Sequence, residues 1–183
     1  CNNKCKFCNI KELEKNVGYS LHLSKVPLVE EVMQAIGEIF NSDVEEIVFC
    51  GIGEATMNLD VLLGSIKEIK KKYNCKIRLN TNGLAYDLYP DRDVVQEMVD
   101  NGLDIVSISV NMTDASEYEK MHGCKEGSFD KLIRFVKDCV NSSLEVNVSF
   151  IEFDNLDKNE VYDFCEGLGL EKNEVRFREH IAS

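Results

Sequence analysis

The stretch "EEIVFCGIGEATMNLDVLLGSIKEIKKKYNCKIRLN" (residues 45–80) holds two kinds of hydrophobic pattern. "EEIVFC" (45–50) and "KIRLN" (76–80) are short apolar runs of strand length. Between them, Leu59, Leu62, Leu63, Ile66 and Ile69 recur at helical spacing across 59–73, with Asn58 placed to cap the helix. Strand, helix, strand within this length requires a right-handed crossover between parallel strands, since a tight turn joins only antiparallel ones. The segment therefore predicts a βαβ unit with a loop, "GIGEAT", at the C-terminal end of its first strand.

The alternation continues outward in both directions. Helix 93–102 ends in Asn-Gly and strand 103–110 follows; helix 129–141, strand 144–151, helix 158–169 and strand 174–180 complete the run. Upstream, "LVEEVMQAIGEIF" (28–40) reads as a helix that follows Pro27. Five strands and at least five helices are too few for an eight-unit barrel. A partial barrel and a doubly wound open sheet both fit, and in either one ligands gather at the C-terminal strand ends. No linker, repeat or low-complexity run divides residues 1–183, so one domain is expected. Cys50 and Cys75 fall in apolar runs and read as small buried hydrophobes.

Composition narrows the function classes. The formal net charge is −12, with the acid spread along solvated helix faces, which disfavours an extended nucleic-acid surface. No apolar stretch reaches the length of a membrane span. Eight cysteines in 183 residues is below the density of a disulfide scaffold, and a reduced, cytoplasmic setting with one metal site is expected.

Three of those cysteines, Cys1, Cys5 and Cys8, crowd into "CNNKCKFC". Disulfides suit an odd, tightly spaced set poorly. Structural zinc is open as a reading, but it usually takes four protein ligands and no partner pair follows; His22, His122 and His180 stand isolated in the sequence. Iron–sulfur clusters are held by closely spaced thiolates, normally four. Three thiols without an evident fourth suggest a cluster with one iron open to an exogenous ligand.

The spacing C-x-x-x-C-x-x-C, with Phe7 before the last Cys, resembles the signature of the radical S-adenosylmethionine (SAM) superfamily. The resemblance extends along the chain as the superfamily's partial (βα)6 TIM-like barrel, with the family's first strand, which precedes the cluster loop, missing from this sequence. "FCGIGEAT" resembles the Gly-Gly-Glu-Pro loop, with Ile52 in place of a Gly and Ala55 in place of the Pro. "LNTNG" (79–83) and "SISVN" (107–111) resemble the next two strand ends, and the set looks closest to the TatD-associated radical SAM group.

The resemblance implies Cys1, Cys5 and Cys8 as ligands of a [4Fe–4S] cluster, and Gly51, Gly53, Glu54, Thr81, Asn82, Ser109, Asn111, Asn147 and Arg176 as SAM contacts. Glu54 would take the methionyl amine; Ser109 and Asn111 would reach the ribose or carboxylate. Val148 and Ile151 are expected near adenine, and Arg178 shares the face of Arg176. The implied reaction is reductive cleavage of SAM to a 5′-deoxyadenosyl radical that abstracts hydrogen from a small molecule or peptide, with an electron from a donor such as flavodoxin or ferredoxin. Rival readings are an activase acting on a glycine of a protein partner, and an iron–sulfur electron-transfer module. Cys124 and His22 are secondary candidates for a catalytic or substrate-facing role.

Overall fold

The computed structural model describes residues 1–154 and 156–180; the last three residues of the expected domain lie outside them. Five parallel strands form one sheet: β1 (Glu46–Phe49), β2 (Lys76–Thr81), β3 (Ile105–Ser109), β4 (Glu145–Glu152) and β5 (Val175–Glu179). Their spatial order is their chain order, so every crossover steps to the same edge of the sheet. A doubly wound sheet needs a reversal at a switch point, and there is none. With right-handed crossovers, single winding places the helices on one face and curls the other inward, which gives a barrel arc.

The helices are α1 (Ile10–Val17), α2 (Val29–Ile39), α3 (Leu59–Lys72), α4 (Ala85–Leu88), α5 (Val94–Asn101), α6 (Ala115–His122), α7 (Ser128–Val140) and α8 (Lys158–Glu166). Three of them, α1, α4 and α6, were not expected from periodicity. Both α1 and α6 are only eight residues long: the Ile10, Leu13 and Val17 stripe of α1 stays outside the core, and α6 buries only Tyr118 and His122, its start fixed by the Asp114 carboxylate accepting from Glu117 N–H. The entry to α3 also differs. The Asn58 side chain makes no capping bond; a 3₁₀ turn at Ala55–Asn58, capped by Glu54, leads into the helix instead.

Strand alternation sorts side chains between core and lumen. Ile77, Leu79, Val106, Ile108, Val146, Val148 and Phe150 turn outward and pack with Leu62, Ile66, Ile69, Met98, Leu132 and Phe135 of the helices. Each fully buried side chain of this kind adds about 1.5–3 kcal/mol. Val148 therefore belongs to this core, at 1% exposure, and not to an adenine pocket. The opposite parity faces the lumen in registered rows, with Asn80, Ser107 and Asn147 on one level and Ser109, Ser149 and Arg176 on the next. Cys50 continues the lumen parity just past β1 and is exposed, while Cys75 is half-buried; the buried structural thiols are Cys139 and Cys165.

Gly83, after β2, shows how tightly this frame is closed. It has φ +74°, and a Cβ there would sit 2.3 Å from Leu132 Cδ1 and 2.9 Å from Ile108 Cγ2. Neither neighbour is exposed or free to yield. Gly83→Ala is expected to lower stability by about 2–4 kcal/mol, from overpacking plus a left-handed Cβ penalty, as read by urea unfolding. Among the described residues, no helix is long and apolar enough to cross a membrane.

Candidate cluster and cofactor site at the barrel mouth

Four loops meet at the C-terminal ends of β1–β3. The first follows β1. Gly51 and Gly53 have φ +127° and +103°, where side chains are strained, and a Cβ at Gly51 would meet nothing within 4 Å. Both glycines thus keep bare backbone open at the mouth of the arc. A Cβ on Gly53 would lie 3.9 Å from the Cys1 nitrogen, so this loop and the thiol loop are neighbours. Ile52 between them is partly exposed, and Ala55, which stands in place of the proline of the Gly-Gly-Glu-Pro loop, begins the 3₁₀ turn.

Glu54 is the anchor of this loop. Its Oε1 accepts from Thr56 N–H (3.1 Å), the Thr56 hydroxyl (2.9 Å) and the Thr81 hydroxyl (2.8 Å); its Oε2 accepts from Asn82 N–H (2.7 Å). A carboxylate offers about four lone-pair positions, so Oε1 is saturated and Oε2 keeps capacity for one more donor. Thr81 is 4% exposed and follows the outward parity of Leu79, so its hydroxyl serves Glu54 and not the lumen. Asn82 ties the second strand end to the thiol loop: its Nδ2 donates to Asn2 Oδ1 (2.7 Å) and approaches Cys1 Sγ (3.8 Å).

The thiol loop is docked by backbone hydrogen bonds, Lys4 N–H to His122 O (2.8 Å) and Lys6 N–H to Met121 O (2.9 Å), and turns back where Cys8 N–H meets Cys5 O (3.2 Å). Cys1 and Cys8 are exposed; Cys5 is half-buried, and burial first, then the neighbouring Cys8, pushes its thiol up to about 11. Holding a metal therefore requires that Cys5 give up a proton. Cys124 also lies close enough to Cys5 to raise it further. Among the described residues, no three His, Cys, Asp or Glu side chains are gathered so as to hold a metal ion. The donor chemistry of Cys1, Cys5 and Cys8 fits an iron–sulfur cluster, and these three thiols would have to draw together to hold one.

His122, isolated in the sequence, is central here. Its ring stacks on Tyr118 (centroids 4.0 Å) and meets the edge of Phe7 (5.1 Å); Phe7 continues to Phe153 (5.7 Å) and Phe153 to His180 (4.9 Å). Asn111, with φ +66° and 2% exposure, places Nδ2 3.1 Å from His122 Nε2 and leaves Oδ1 buried without a donor among the described residues. Ser109 accepts from Arg178 (3.3 Å), whose guanidinium is lowered by burial; Arg176 is exposed on the same face, and Asn147 is buried in the lumen row beside Ser107. His22 stands apart, exposed and within 3.9 Å of Glu14. A separate groove of about 540 Å³ between α5 and α7 lies on the outer helical face, lined by Arg92, Asp93, Arg134 and Asp138 and without a thiol.

Comparison with known proteins agrees with this geometry. Over 183 residues the chain is 22% identical to a GTP 3′,8-cyclase of Clostridium perfringens (strain SM101 / Type A), covering 98% of this chain and 52% of the cyclase. Streptococcus suis SuiB bound to S-adenosylmethionine superposes with a TM-score of 0.66 at 14% identity, over all of this chain and 39% of SuiB. Native anSMEcpe with bound AdoMet and Kp18Cys peptide gives 0.68 at 18%, over 99% and 48%. The chain spans about half the length of the curated relatives it matches. The family model for the Radical SAM superfamily matches residues 1–165, from the first thiol through α8. With that match over nearly the whole chain, and the thiol loop set against a glycine-bounded carboxylate at the mouth of a parallel barrel arc, this protein belongs to the radical SAM superfamily.

Proposed function

We propose that this chain is the SAM-cleaving core of a radical SAM enzyme. Membership brings SAM and a [4Fe–4S] cluster as cofactors. When bound, they supply one-electron cleavage of SAM to methionine and a 5′-deoxyadenosyl radical that takes hydrogen from the substrate. Cys1, Cys5 and Cys8 would hold the cluster as thiolates. Glu54 receives the methionyl ammonium on its remaining acceptor position, and this spare capacity beside bare glycine backbone is the observation that carries the reading. Gly51 and Gly53 admit the methionyl group; Asn82 and Asn111 line its approach from neighbouring strand ends, Ser109 and Arg176 from the lumen row below them and Asn147 from the row beneath that. Thr81 acts through Glu54. The lumen rows below form the chamber in which a substrate C–H is kept from water.

The relatives' names include a GTP cyclase and a peptide-bound enzyme, so a small molecule or a peptide is the substrate class, and a flavodoxin- or ferredoxin-type donor supplies the electron. Anaerobic reconstitution with iron and sulfide tests the reading. The expected result is an iron–sulfur spectrum that changes when SAM is added, with 5′-deoxyadenosine and methionine released under dithionite. Zinc retained in place of iron, or a cluster blind to SAM, would overturn it.

A further inference from the structure

We propose that His122 is a positioning residue of the SAM site, fixing Asn111 so that its amide oxygen is presented as an acceptor to SAM. This rests on the SAM-site reading above. The argument begins at the other side of the ring. His122 Nδ1 lies 2.9 Å from the Tyr118 carbonyl oxygen, which can only accept, so Nδ1 carries the proton. The ring is buried between Tyr118 and Phe7, and burial lowers its basicity, so it is neutral and Nε2 is an acceptor. The atom of Asn111 facing Nε2 at 3.1 Å is then the amide nitrogen, donating. The amide orientation follows, and Oδ1 points away from the ring.

That Oδ1 is buried and has no donor among the described residues. The residue carrying it is 2% exposed and adopts φ +66°, a conformation that asparagine tolerates but that the surrounding structure must hold. It follows β3 directly, with its own N–H and that of Val110 donating to Ser149 O (3.1 and 3.0 Å), so the backbone is pinned from β4. An oriented, pinned and unpaired acceptor just past the C-terminal end of β3 is what a ligand hydroxyl or amine would complete. His122 also receives Lys4 N–H at its own carbonyl oxygen, so one residue sets both the thiol loop and the Asn111 amide.

Equilibrium dialysis of labelled SAM against the iron-reconstituted protein tests this without turnover. His122→Phe keeps the ring packing and the backbone bond to Lys4 but removes the acceptor; iron content should hold while SAM binding weakens roughly tenfold, about what one buried hydrogen bond carries. Asn111→Ala should weaken binding similarly, and the double variant should bind no worse than Asn111→Ala alone. His122→Gln, which restores an acceptor at the position of Nε2, should recover most of the affinity. Unchanged binding in His122→Phe, or losses that multiply in the double variant, would overturn the role of His122. A wild-type protein that takes up iron but binds no SAM would instead overturn the SAM site, and this role with it.

Discussion

Replacing Cys1, Cys5 or Cys8 singly by Ala is expected to take bound iron to background after anaerobic reconstitution. Loss of an outer-shell partner already costs about 10–100-fold in metal affinity, and removing a direct ligand from a set of three costs more. The informative comparison is with Cys50→Ala and Cys124→Ala. Cys50 is exposed immediately before Gly51, and Cys124 sits near enough to Cys5 to raise its thiol. Both are alternatives to Cys1, whose nitrogen lies beside Gly53 and whose Sγ lies 3.8 Å from Asn82 Nδ2. Iron retained in Cys50→Ala and Cys124→Ala, and lost in Cys1→Ala, establishes the three-thiol set of the amino-terminal loop. Iron retained in Cys1→Ala but lost in Cys124→Ala would assign the third ligand to Cys124 and refute it.

The sheet could be read from the sequence because its inner strands bury one face under the helices. Ile77 and Leu79, or Val146, Val148 and Phe150, leave a period that only a strand explains. The same parity excluded Val148 from the lumen once Asn147 and Ser149 were placed there, an inconsistency already present in the alternating string "EVNVSFI". α1 was missed for a different reason: Ile10, Leu13 and Val17 recur at helical spacing, but only across eight residues, and Leu13 and Val17 stay exposed outside the core.

The site divides in the same way. The thiols and Glu54 carry local spacing that can be recognised, whereas His122 acquires its meaning only from partners brought to it by topology: Phe7 from the far end of the chain, Asn111 from the strand before its helix. Thr81 was legible as a site residue but not in its role. Its parity sends the hydroxyl to Glu54, 27 residues away. Spacing identifies residues that act directly on a ligand; residues that act through another must be found in three dimensions.

Glu54→Gln is expected to reduce SAM affinity by about 10–100-fold, the range of a charge-assisted hydrogen bond. The substitution is nearly isosteric, so the effect comes from donor and acceptor identity. The carboxylate receives donors at both oxygens: three at Oε1 and the Asn82 N–H at Oε2. An amide placed there must turn its NH₂ group toward one side or the other. Facing Oε1's donors, it opposes Thr56 N–H at once, while the two hydroxyls can rotate to accept; facing Asn82, it opposes that N–H and loses the position left for an ammonium. Either orientation leaves a donor unmet, which lowers stability by about 1–3 kcal/mol. Thr81→Val separates the two effects, because it removes one donor from Oε1 and leaves the charge and Oε2 intact. Its affinity should fall by about tenfold or less; because Thr81 Oγ1 also accepts from the buried Gly83 N–H (3.1 Å), stability should fall by about 1–3 kcal/mol as well, so the affinities and not the stabilities tell the two variants apart. Dialysis against labelled SAM gives the affinities and urea unfolding the stabilities. A Glu54→Gln protein that stays folded and binds SAM within about twofold of wild type would show that the ammonium is held elsewhere.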